Sequence, residues 1–291
     1  MIAMIKRNLL LYFRDRSGVF FSLLGALISF ILYLVFLKQN MLTSWHQVPN
    51  ARLLLDSWLI GGTLAITGMT TTLTSLSLMV TDKVDHIAED LGLTDAGPLR
   101  LFGSYLCSAA VIGFLMQLAM FGIMWGGFYV TDGLTLSLTE IRNTLGLMVV
   151  SSILATAVNA SFIRAIHSVN SLNKLETIIG TAAGFLVGTY IPIGLLPGFA
   201  QNLVKFIPGS YVAALYREFL MGSKLTAAFG GDSTALASFD QLMGIRLKWT
   251  NLLTPQATYH IMGLMLIGAV ILALGPEWIQ IRHRRRVIRE R

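Results

Sequence analysis

From residue 18 to residue 37 the chain carries no charge, and as a helix rising about 1.5 Å per residue this run covers the roughly 30 Å of a bilayer's hydrocarbon. Apolar runs recur at 57–80, 101–130, 143–163, 176–196 and 256–274, the fifth span opening on Glu176 and the others free of Asp, Glu, Lys and Arg. Few folds are open to such a chain. In hydrocarbon every backbone N–H and C=O must be satisfied within the protein, which leaves helices or a closed barrel, and these runs are too long for barrel strands. Charged residues make up only 13% of the chain, about half the share of soluble domains, so a water-soluble core does not account for the pattern. The sequence predicts one all-α integral membrane domain over residues 1–291, with six transmembrane helices.

Residues 1–17 read MIAMIKRNLLLYFRDRS. Ile2, Ile5, Leu9, Tyr12 and Phe13 approximate one helical face, and Lys6, Arg7, Arg14 and Arg16 supply a cationic one. This predicts an amphipathic helix lying in the membrane interface. A cleaved signal peptide fits less well, because the apolar run 9–13 is short and Arg14-Asp15-Arg16 interrupts it. A basic lead into an uncleaved first span is the rival reading.

Residues 81–100 break the apolar pattern with Asp82, Lys83, Asp85, His86, Glu89, Asp90 and Asp95. Each ionised group in hydrocarbon costs several kcal/mol, so this loop lies in water. Asp82 is placed to cap a short helix in which Val84, Ile87, Ala88 and Leu91 recur at helical spacing. Gly92 can end that helix, and Gly97-Pro98 breaks the chain before the next span. The expectation is an acidic amphipathic helix over 82–92. A plain solvated connector competes with it.

The second span is rich in small and hydroxylated residues, among them Gly61, Gly62, Thr63, Thr67, Gly68, Thr71, Thr74 and Ser77. Hydroxyls are tolerated in lipid by bonding back to their own helix or across to a neighbour. Close helix packing and a face lining a route or seam are both open. In the fifth span Gly180, Gly184 and Gly188 repeat every fourth position, a surface suited to close contact. Residues 197–255 form the longest segment outside the spans. Its first part is predicted as two short helices, broken by Pro208, that lie in or dip into the outer leaflet. Gly230-Gly231-Asp232 reads as a turn, and Pro276 as the stop of the last span.

With both ends inside, 14 of the 22 Lys and Arg residues fall on cytoplasmic segments, and most of the remainder lie in the long 197–255 region, where charge has little say over topology. The basic tail 275–291 is then a topology anchor against anionic headgroups. Nucleic acid is an unsuitable partner, since no stacking aromatics or reading fold accompany the charge. The lone Cys107 lies within a span and reads as a small packed residue. No G-x-x-x-x-G-K-[ST] run occurs, so the chain has no ATPase of that kind, and its five histidines are scattered, which gives no metal site. No carboxylate pair is evident within the spans, which argues against an ion-coupled carrier.

The order of these parts resembles the permease subunit of type-2 ABC exporters over essentially the whole chain. The segments that carry the likeness are KRNLLLYFRDRSGVFFSLL, EDLGLTDAGPLRLFGSYL and IPIGLLPGFAQNLVKFIPGSYVAALYREFLMG. Asp90, Leu91 and Thr94 fit the family's second-span loop, with the proline displaced to Pro98; Pro192, Leu196, Pro197, Pro208 and Tyr211 follow the order of its outer segment. The resemblance implies that Asp82, Asp85, Glu89, Asp90, Leu91, Thr94, Lys6 and Arg7 couple to a separate ATPase subunit, present in two copies and carrying the ATP and Mg; the chain itself would hold no cofactor. It implies a second permease copy or paralogue, with Phe30, Tyr33, Thr67, Thr71, Gly184, Gly188 and Tyr190 on the seam or substrate path. Pro197, Phe206, Pro208 and Tyr211 would form an outer gate. The cargo would be a hydrophobic or amphipathic drug, toxin, peptide or lipid, moved across the plasma membrane. Export of a lipid-linked glycan and a lipid-modifying membrane enzyme are the alternatives.

Overall fold

The computed structural model describes residues 1–45, 48–93 and 97–289, with 275–289 as helical backbone. Among these residues no strand occurs, only an isolated bridge between Lys248 and Leu252. The helices are α1 (Ile2–Arg14), α2 (Arg16–Leu32), α3 (Lys38–Ser44), α4 (Ala51–Val84), α5 (Ile87–Gly92), α6 (Gly97–Asp132), α7 (Leu138–Ile163), α8 (Val169–Leu186), α9 (Gly198–Val204), α10 (Pro208–Phe229), α11 (Ser233–Met243) and α12 (Pro255–Arg289).

Five segments are long and apolar enough to cross a membrane: Arg16–Ser44, Ala51–Val84, Gly97–Asp132, Leu138–Ile163 and Pro255–Leu274. They fit a membrane-embedded protein. α8, which covers much of the predicted fifth span, is not one of them, because its first half carries Asn173, Lys174 and Glu176.

α4 is the axis of the bundle, packed by α2, α6, α7, α8 and α10. Its small residues explain why. A Cβ at Gly61 would sit 2.9 Å from the backbone nitrogen of Arg217, and one at Gly62 would collide with Thr189, so α10 and the end of α8 close onto α4 only where side chains are missing. The hydroxyls of Thr63, Thr67, Thr71 and Thr72 bond back to carbonyls four residues earlier, which lets these four be buried with their donors paired. Gln117 on α6 then binds Ser151 and Ser152 of α7 and Tyr216 of α10, at 2.7–2.8 Å, joining three helices through one amide.

Several predicted boundaries shift. The first span continues past Leu37 through a π turn at Tyr33–Leu37 into α3, where a loop was expected. α7 begins at Leu138 instead of 143, on a capping box in which the Ser137 side chain accepts from the Glu140 amide and Glu140 accepts from the Ser137 amide. The predicted span to residue 196 ends at Leu186, because Gly188 turns the chain at φ +68°. α12 does not stop at Pro276 but runs on to Arg289.

α10 differs most from expectation. It is a 22-residue helix sunk into the bundle, with Gly209 through Arg217 buried. It starts about midway along α4, where Gly209 lies against Met69 and Val187 and the Ser210 hydroxyl donates to Leu186 O at 2.8 Å. From there it climbs toward the start of α4 and α7, where Ser223 and Lys224 donate to Glu140. The Gly230-Gly231 turn follows, and Asp232 caps α11 with two bonds of 3.0 Å. α11 covers this end, the α11 end; α1 and α5 lie at the other, the α5 end.

Candidate functional site

At the α5 end, Asp82 is not the cap of a short helix. α4 carries it on its last turns, only 1% exposed, and Arg7 of α1 grips its two oxygens at 2.7 and 2.9 Å. Tyr105 of α6 donates to the same carboxylate at 2.5 Å. Next to it, Asn8 donates to Ser108 at 3.1 Å, and Tyr12 packs on Ile112 and Met116, so α1 lies along α6 by one face. That face is Met4, Asn8 and Tyr12 with Leu9; Ile2 and Phe13 of the predicted apolar stripe are exposed.

The chain leaves α4 at Asp85 and reverses at His86, whose φ of +62° puts it in the left-handed region. α5 follows, with Glu89 and Asp90 in its first turn. Asp85, Glu89 and Asp90 are exposed, and so are Val84, Ile87 and Leu93, the last at 87%. Leu91 is half-buried against the core of this end, and Lys6 is exposed. Thr94 and Asp95 lie outside the described residues, as does Arg291 of the tail. A shallow cleft of about 260 Å3 lined by Ala88, Pro98, Phe102 and Ile166 adjoins α5. Helix α5 therefore presents acid and oil together on a surface fixed from beneath.

The residues predicted for a seam separate. Tyr33, Thr67 and Thr71 are wholly buried inside the subunit, and Phe30 packs edge-on to Phe128 at 5.6 Å. The hydroxyls that reach an open surface are one face round on α4, at Thr70, Thr74 and Ser77. Gly184 lacks the Cβ that would collide with the Tyr190 ring, which folds back over α8. Gly188 is a turn, with Ile193 packed where its side chain would be. Of the predicted outer gate, Pro197 and Phe206 are exposed, whereas Pro208 opens α10 and Tyr211 is buried, donating to Lys205 O at 2.7 Å and accepting from Trp249 at 3.0 Å.

Three polar sites were not read from the sequence. First, Lys38 reaches Asp56 at 2.9 Å and Asp132 at 2.7 Å, so two carboxylates just outside the predicted spans are brought onto one ammonium. The π turn makes this possible: the Lys38 amide bonds to Tyr33 O, which turns both side chains to one side, and the Tyr33 hydroxyl donates to Asp56 at 2.7 Å. Second, Arg217 is completely buried, with no carboxylate partner among the described residues. Its guanidinium donates to Val187 O, Gly188 O and Gly244 O at 3.0–3.2 Å and lies 4.7 Å from the centre of the Trp58 ring. It thereby satisfies orphan carbonyls at the C-terminal end of α8 and at the cap of α11. Third, Glu176 lines a groove between α2, α4 and α8, with its Oε1 buried and unpartnered. The S-x-x-E box at 137–140 was legible and overlooked; the other three depend on contacts between segments distant in sequence.

Among the described residues no three His, Cys, Asp or Glu side chains converge as a metal site would require. No protein-family model matches the chain, and no curated protein matches it significantly in sequence.

Proposed function

We propose that this chain is the transmembrane subunit of an ATP-driven exporter of the type-2 ABC class. In this reading α8 crosses the membrane as the sixth span, α1 lies in the interface, and α9 with α10 forms a re-entrant pair reaching the midplane. The α5 end faces the cytoplasm with both termini, in the plasma membrane. A separate ATPase, in two copies, carries ATP and Mg, and a second permease copy or paralogue completes the route for a hydrophobic or amphipathic cargo.

One observation carries the reading. α5 and the residues flanking it offer exposed Asp85, Glu89 and Asp90 beside exposed Val84, Ile87 and Leu93, while Arg7–Asp82 ties α1 to the same end. An acidic helix with an apolar edge suits a groove that is basic at its rim and apolar at its floor. Because α5 follows α4 directly, and α4 contacts most of the bundle, a push on α5 reaches the core through one rigid helix.

The test is co-purification of the full-length chain with a co-expressed ABC ATPase subunit from the same genome, and cargo-stimulated hydrolysis by the pair. Reversing Glu89 and Asp90 to Lys is expected to abolish both assembly and stimulation. Assembly that survives the reversal, or labelling of Asp85→Cys from outside the cell, overturns the proposal.

A further inference from the structure

We infer that the groove between α2, α4 and α8 binds a cationic amphiphile bearing N–H donors, with Glu176 as its counter-charge. Its identification as the exported cargo rests on the exporter reading; the binding itself does not.

The groove has a volume of about 840 Å3, within the roughly 300–1,000 Å3 typical of sites for drug-sized ligands. Phe21, Leu24, Ile28 and Leu73 give it apolar walls, and Tyr190 closes it, held by the edge-on Phe185 ring at 4.9 Å. The charged residues that line it are Asp15 and Glu176, both acidic. Asp15 is exposed and is engaged by the Gly18 amide at 3.0 Å. Glu176 is half-buried, has one oxygen buried without a partner, and makes no ion pair among the described residues. A carboxylate kept from water without a partner is costly, and an opposite charge brought by a ligand offsets that cost.

The hydroxyls set the donor requirement. Thr70 donates to Ser22 O at 2.6 Å, Ser77 to Thr74 O at 2.7 Å, Thr177 to Asn173 O at 2.8 Å and Thr181 to Thr177 O at 2.7 Å. Each of these four has committed its single hydrogen to a carbonyl and leaves lone pairs for a ligand, to which the Glu176 carboxylate adds its own; the Asn173 amide and the Ser17, Thr74 and Tyr190 hydroxyls also line the groove. The groove is rich in acceptors, negative and apolar-walled. An amine or amidine on an aromatic or aliphatic body meets all three conditions; an anion on the same body meets only the apolar one, and a neutral acceptor brings no counter-charge to Glu176. The Tyr190 and Phe21 rings add a further attraction for a cation.

The experiment uses the purified full chain in nanodiscs of neutral lipid, with no ATPase present, and ethidium as an aromatic cation with N–H donors; fluorescein serves as an anion of similar size. Ethidium is expected to bind, with fluorescein at least tenfold weaker. Glu176→Gln is expected to weaken ethidium at least tenfold, with Glu176→Asp intermediate. Gly180→Lys supplies an internal ammonium four residues on, at a position where a Cβ meets nothing within 4 Å, and is expected to block ethidium to the same degree while leaving Glu176 in place. Near-UV circular dichroism and the melting temperature establish which variants fold. Ethidium affinity within twofold of wild type in either folded variant, or fluorescein bound equally well, overturns the inference. Because no ATPase is present, a failure here leaves the α5 docking result standing, and the reverse holds as well.

Discussion

Arg7 and Asp82 meet through two parallel hydrogen bonds, 2.7 and 2.9 Å long, across 75 positions of sequence. The two ends of the pair are unequal: the Asp82 side chain is 2% exposed and that of Arg7 is 28% exposed. Removing one partner of a buried pair costs most when the charge left behind cannot reach water.

Arg7→Ala is therefore expected to destabilise the α5 end more than Asp82→Asn. The first leaves a sealed carboxylate with Tyr105 as its remaining donor, at a cost of about 2–4 kcal/mol; the second leaves a guanidinium that can turn outward, at about 1–2 kcal/mol. Hydrogen exchange over residues 1–15 and melting in detergent measure both. Equal effects would mean that the clamp is not sealed as described.

Ile87 and Leu93 are exposed beside α5's acids, and apolar contact at the centre of an interface contributes more than charges at its rim. Under the exporter proposal, Ile87→Ser with Leu93→Ser is expected to weaken association with the proposed ATPase about tenfold, or roughly 1.4 kcal/mol, without lowering the melting temperature. Surface plasmon resonance with the full-length chain immobilised in nanodiscs checks it. A lower melting temperature would mean that these side chains serve the fold.

Arg217 satisfies carbonyls of α8 and α11 from inside α10. Arg217→Met fills similar space but leaves those acceptors unpaired, at about 1–3 kcal/mol each, so it is expected to lower the melting temperature sharply. Arg217→Lys retains the charge but not the planar fork, and is expected to fall between the two. A Met variant as stable as wild type would show that water replaces the guanidinium.

Asp240 on α11 is 6% exposed, its Oδ1 lacks a partner, and burial pushes its carboxyl up to about 6, with Arg246 partly opposing the shift. A carboxyl raised in the folded state binds more protons there than in the unfolded chain. Its stabilising contribution is complete below the unfolded value of 3.8 and is lost as pH rises through about 6. The α11 end is expected to be more stable at pH 4.5 than at pH 7.5, by about 2 kcal/mol from this group. Asp240→Asn is expected to remove that dependence and raise stability at pH 7.5. Melting curves of both proteins across this range decide it.

The distribution of charge along the chain was enough to predict the helical membrane class. Hydrocarbon admits no unpaired backbone, and uncharged runs of about 20 residues admit no other fold. The Gly61-Gly62 step as a close-packing site and the Gly230-Gly231-Asp232 turn were also legible, since a missing Cβ and a short polar side chain act on their immediate surroundings. The register of the partners was not. Asp82 and Asp85 look alike in sequence, yet one is clamped inside by Arg7 and the other stands in the open, because only the packing of α1 on α6 brings a guanidinium to the first. Thr67 and Thr70 are equally hydroxylated, and the angle at which α2 and α8 meet α4 decides which of them borders the groove. Arg217 reads as a surface charge until α10 is seen to enter the bundle. Local composition sets what a segment can be; which of its groups are paired, buried or left facing a ligand depends on neighbours far away in sequence, and only the folded chain supplies those.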